Sequence, residues 1–170
     1  CRMVRIGCIG DSNTSGQGLN KGKTYPALLK SLLRQTSSDT EVQNFGKSRA
    51  TASRKSEHSY VKSSAFACAL EYEADYWVVW LGTNDAKDGE AAADVEAGLR
   101  HIIQRLRLLQ CSKILLLTPG GNTARIRERL QGDLGEAVQK AAEKEGRCRI
   151  VDLYAASLGY QKDHIHLSIE

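Results

Sequence analysis

"MVRIGCIGDSNTSGQG" (residues 3–18) begins as an apolar, strand-forming run and turns abruptly polar at Asp11. A short run of this kind is buried on both faces, as in a parallel sheet. Four further runs have the same character: "EVQNFG" (41–46), "YWVVWLG" (76–82), "KILLLTP" (113–119) and "RIVDLY" (149–154), of which "EVQNFG" is the weakest. Helical spacing fills the intervals. Leu28, Leu29, Leu32 and Leu33 fall on one face behind Pro26, and Val95, Leu99, Ile102, Ile103 and Leu106 recur at helical spacing from Asp94. Ile126, Leu130, Leu134, Val138 and Ala141 align over 125–145, with Gly132 and Gly135 as candidate breaks, and a further helix is expected within 56–73.

Strands alternating with helices imply right-handed crossovers and a three-layer α/β/α sandwich. Neither a repeat nor a linker divides the 170 residues, so residues 1–170 read as a single domain. The 41% apolar and 26% charged content is that of a globular protein. The longest apolar run is too short to cross a bilayer, and the net charge of +4 is spread out, so neither a membrane nor a nucleic-acid partner is expected. The densest basic cluster, "KSRATASRK" (47–55), reads as solvated surface. No signal-peptide pattern is visible, and the five cysteines lack metal-type spacing. Reduced thiols in a cytoplasm-like compartment are therefore expected, with Cys8 and Cys68 as small buried residues and a Cys111–Cys148 bridge conceivable.

In an open α/β sheet, ligands bind outside the carboxyl ends of the strands. The strand exits carry Asp11 and Ser12, then Gly46, then Asn84 and Asp85, then residues 120–122, and finally "KDHIHLS" (162–168). A serine hydroxyl becomes a nucleophile only with a base to take its proton and donors to stabilise the oxyanion. Of the four histidines, His101 falls on the outer face of a helix and His58 lies among polar residues away from any strand exit. His166 is favoured over His164 because Asp163 lies three residues before it, one helical turn away, where its carboxylate can orient the imidazole. The backbone N–H groups of Ser12 and Gly46 and the Asn84 side chain are candidate oxyanion donors, Gly46 because a residue without Cβ lets its N–H approach a substrate.

"GDS" (10–12), Gly46, "GTND" (82–85) and "DHIH" (163–166) together resemble the four blocks of the SGNH (GDSL-type) hydrolases, in order and across nearly the whole chain. The resemblance implies a flavodoxin-like parallel five-stranded sheet in the order 2-1-3-4-5. It implies Ser12 as nucleophile, His166 as general base and Asp163 as its partner, with Ser12, Gly46 and Asn84 forming the oxyanion hole. Asp11 and Asp85 are supporting residues, Asp85 as a brace for its loop. The mechanism needs no metal or organic cofactor. Two departures from the family pattern are Asn13, at a place often aliphatic, and the end of the sequence four residues after His166, where a closing helix usually follows.

The expected partner is a small-molecule ester, with carbohydrate O-acetyl groups favoured over lysophospholipids and thioesters because the strand-exit loops are small and polar. Two other classes stand beside this one. A phosphate- or flavin-binding module on the same fold lacks support, because "GQGLNKG" is not G-x-G-x-x-G and no P-loop occurs. A non-catalytic carbohydrate-binding relative would fail to react with serine-directed organophosphates.

Overall fold

The computed structural model describes residues 2–109, 113–120 and 124–154. Five parallel strands form one sheet: β1 (Val4–Gly10), β2 (Thr40–Gly46), β3 (Tyr76–Trp80), β4 (Lys113–Leu117) and β5 (Cys148–Val151). Their spatial order is β2-β1-β3-β4-β5, the expected one. The order places β1 and β3 side by side at the reversal of winding. There Gly10 pairs with Gly46 on one side and with Trp80 on the other, so three strand exits meet.

Alternation along each strand sorts side chains to two faces. Cys8, Val42 and Val78 turn to one face, where Tyr25, Leu29 and Leu33 of α2 (Tyr25–Thr36) cover them. Ile9, Phe45, Trp77, Val79, Ile114 and Leu116 turn to the other and form the larger core. That core is closed by α3 (Ser64–Glu71), α5 (Ala92–Leu109), α6 (Ala124–Gln131) and α7 (Asp133–Glu145). Val95, Leu99, Ile102, Ile103 and Leu106 are all buried along α5, so the helical spacing there is the packing stripe itself. The long segment after β4 breaks at Gly132, whereas Gly135 lies within α7. Both tryptophans are core residues.

Two expectations fail. Leu28 and Leu32 are 43% and 60% exposed, while Leu29 and Leu33 meet the sheet. Neighbouring residues on a helix lie about 100° apart, and a helix resting on one flat sheet buries only the nearer row. Cys68 is exposed rather than buried, because it faces outward from α3, whose inward residues are Phe66 and Ala69. Cys8, Cys68 and Cys148 are free thiols, and Cys111 lies outside the described residues. Among the described residues no helix is long and apolar enough to cross a membrane, and no cluster of His, Cys, Asp or Glu could hold a metal ion.

Candidate active site

Directly after β1, residues Ser12–Ser15 form one helical turn, α1. Its N-cap is Asp11, whose carboxylate accepts from the Asn13 N–H at 2.9 Å. Ser12 is the first residue of the turn and is buried, at 5% exposure. The capping aspartate fixes the peptide from which the Ser12 hydroxyl projects.

The β3 exit is built differently. Gly82 has φ +126°, and a Cβ there would come within 2.8 Å of the Pro119 ring, so the tight turn into α4 (Thr83–Asp88) requires glycine. Thr83 Oγ1 donates to the Gly120 carbonyl oxygen at 2.9 Å, fastening α4 to the end of β4. Asn84 is buried, and its Nδ2 donates to the Ala50 carbonyl oxygen at 3.0 Å. An amide nitrogen carries two hydrogens, so one remains for another acceptor. The fully buried Asp85 carboxylate accepts from the N–H groups of Ala52 and Ser53, both at 2.9 Å. Burial pushes its carboxyl up to about 6, and those two donors oppose the shift. The far end of α4 is held from α6, where the Arg129 guanidinium donates to the carbonyl oxygens of Asp85, Ala86 and Glu90. Sequence inspection missed Arg129, whose helical surroundings carry no signal of a role in another helix's cap.

The loop between β2 and α3 is gripped from both exits. The Lys47 N–H donates to the Gly10 carbonyl oxygen at 2.9 Å, and the Ser48 and Ser15 hydroxyls share a hydrogen bond at 3.0 Å. Asn84 and Asp85 then hold residues 50, 52 and 53. The strand exits thus bring Ser12, Gly46, Asn84 and Asp85 to one edge of the sheet. Asp163 and His166 lie outside the described residues, as does His164.

Gly46 differs from its expected role. Its N–H donates to Asn44 Oδ1 at 2.8 Å, and Asn44 Nδ2 donates to the Thr14 carbonyl oxygen at 2.7 Å. A Cβ on Gly46 would come within 2.2 Å of the Ser15 nitrogen. Glycine is required here for the close passage of β2 against α1, and its donor is occupied. Three residues on, Arg49 adopts φ +66°, a left-handed conformation that costs a non-glycine residue roughly 1 kcal/mol. The Arg49 N–H has no acceptor among the described residues. Only the positive φ marks this position out, and its sequence, an arginine in a basic stretch, gives no hint of it.

A parallel sheet with this winding, a capped serine turn after β1 and a buried asparagine after β3 form the frame expected from the SGNH-type resemblance. The chain matches the GDSL-like lipase/acylhydrolase family over residues 8–170 and belongs to that family. It is 27% identical over 183 aligned positions to an acetylxylan esterase of Xylanibacter ruminicola, covering 91% of this chain and 37% of that protein. This chain therefore spans well under half of that relative's length. The structure superposes on AlinE4, an SGNH-hydrolase family esterase, with TM-score 0.79 at 25% identity, covering 98% of this chain and 87% of the other. Against an acetyl xylan esterase from Geobacillus stearothermophilus the TM-score is also 0.79, at 21% identity with 99% and 88% covered, a likeness of fold.

Proposed function

We propose that this domain hydrolyses short-chain acyl esters, acetyl esters foremost and carbohydrate acetates among them. The observation that carries this reading is the loop after β2, tied to the Ser12 turn through Ser15 and Ser48 and to Asn84 through Ala50. A nucleophile-bearing turn and an amide donor thereby share one rigid support. The acetylxylan esterase relative favours acetylated sugars over other esters.

In this mechanism Ser12 Oγ attacks the ester carbonyl while His166, oriented by Asp163, takes its proton. Charge develops on the carbonyl oxygen as the tetrahedral intermediate forms. The Ser12 N–H and the second Asn84 amide hydrogen are its donors, and the Arg49 N–H takes the part first assigned to Gly46. The alcohol departs with the proton from His166, and water then cleaves the acyl-serine with the same imidazole as base. Asp11 and Asp85 hold backbone rather than substrate.

The test is p-nitrophenyl acetate turnover alongside circular dichroism. Ser12→Ala should abolish turnover with the fold retained. His166→Ala should cost orders of magnitude in kcat and His164→Ala far less. A folded Ser12→Ala variant with near-wild-type turnover would sink the mechanism.

A further inference from the structure

The backbone of residues 47–53 is pinned from both sides of the site, and two cations stand on it. Ser48 is held to the Ser12 turn and Ala50 to Asn84, so Arg49 sits between the nucleophile's support and the amide donor. Its side chain and that of Lys47 are exposed. Neither has an ion pair or a side-chain hydrogen bond among the described residues, and the neighbouring carboxylates are already committed. Asp11 accepts from Asn13, Asp85 accepts from Ala52 and Ser53, and further along the same basic stretch Lys55 pairs with Asp94 at 2.9 Å. Both cations are therefore exposed beside the Ser12 turn and Asn84 with no counter-charge among the described residues.

We infer that the natural ester carries a carboxylate on its alcohol portion, close to the scissile bond, and that Arg49 receives it with Lys47 in support. This inference rests on the esterase reading above. A guanidinium presents a planar fork that matches a carboxylate with two parallel hydrogen bonds. The left-handed backbone fixes the base of that side chain on the loop segment bonded at Ser48 to the Ser12 turn and at Ala50 to Asn84. Lys47 adds positive field without that geometric demand, which raises the local concentration of anionic substrate. An acetylated acidic sugar, a uronate unit, has the required chemistry: a hydroxyl ester and a carboxylate on one ring. Residues 47–55 of that loop carry no aromatic side chain on which a neutral sugar could stack.

The experiment compares acetate release from an acetylated methyl glucuronoside and from its neutral counterpart, the acetylated methyl glucoside. In the wild type kcat/KM should favour the uronate, and raised salt should shrink the preference. Arg49→Gln should lower the uronate-to-neutral ratio about tenfold, as expected for losing a hydrogen-bonded charged partner. Lys47→Gln should lower it less, and Arg49→Lys should restore part of it. Should Arg49→Gln not fold, competitive inhibition of the wild type by methyl glucuronoside and not by methyl glucoside carries the test, and equal inhibition by the two overturns the inference. A ratio at or below one in the wild type, or one unmoved in folded Arg49→Gln, overturns the inference while leaving the esterase intact. Turnover of neither ester, nor of p-nitrophenyl acetate, overturns the esterase reading itself and the inference with it.

Discussion

The Gly46 N–H donates to Asn44 Oδ1 at 2.8 Å, and through the same side chain β2 is bonded to the Thr14 carbonyl oxygen of the Ser12 turn. The turn is therefore supported from the edge strand as well as from its own N-cap. Asn44→Ala removes both bonds at a part-buried site and should destabilise the fold by about 1–3 kcal/mol. Gly46→Ala should be worse, because its Cβ would meet the Ser15 nitrogen at 2.2 Å, where no flexible side chain can yield. Urea unfolding of both variants measures this. A neutral Gly46→Ala would contradict the close passage of β2 and α1.

Asn84 holds the Ala50 carbonyl oxygen and is an oxyanion donor in the proposed mechanism, so its replacement should show two separable losses. Asn84→Ala leaves the Ala50 carbonyl oxygen without its 3.0 Å donor, for which a loss of about 1–3 kcal/mol is expected. In the proposed mechanism it also removes one oxyanion donor, expected to lower kcat by about 10²–10³. Denaturant unfolding and kcat on the folded fraction read the two independently. A folded variant with unchanged kcat would remove Asn84 from the oxyanion hole.

The pH dependence of stability should carry the mark of Asp85. Its folded carboxyl titrates near 6 against an ordinary 3.8, because burial disfavours the charged form more than the two N–H donors favour it. Between those values the folded chain holds a proton that the unfolded chain has released. Stability contributed by this group is thus fully present at acid pH and falls as pH rises from about 4 to about 6, by up to roughly 3 kcal/mol. Thermal unfolding across that range, compared with Asp85→Asn, isolates the contribution. The variant should give the flatter profile, and an identical slope in both proteins would count against the assignment.

Acyl-chain length should matter in the direction of short chains. A groove for long chains would gain about 0.8 kcal/mol per buried CH₂. Such a groove needs apolar walls, and the loops after the first four strands hold one leucine and no aromatic over 13–23, 47–55, 86–91 and 119–124. A p-nitrophenyl ester series should peak at acetyl to butyryl and fall by octanoyl. A maximum at eight carbons or beyond would favour the lysophospholipase or thioesterase alternative.

The strands were legible because each apolar run is both short and bounded by turn residues, and their order followed from the family resemblance. The period of two then assigns Cys8 and Ile9 to opposite faces with no further information. The α5 stripe was legible for a related reason, since a helix packed against a core on one side repeats its apolar residues at the spacing of its own turn. Leu28 and Leu32 were misread because a leucine pattern says which side chains share a helix flank, but not how wide a flank the sheet can cover.

At the site the division runs between residue identity and hydrogen-bond destination. The order of Ser12, Gly46, Asn84, Asp85, Asp163 and His166 along the chain was by itself enough to point to the family. What only tertiary structure decided is where each donor points. Gly46 proved to be a packing glycine with its N–H bound to Asn44, and among the described residues the Arg49 N–H has no acceptor. Asp85 holds residues 30-odd positions away, and Arg129 caps a helix to which it does not belong. A sequence fixes which donors and acceptors exist. Which of them meet depends on how distant segments pack, because a hydrogen bond forms only within a few tenths of an ångström of its ideal length.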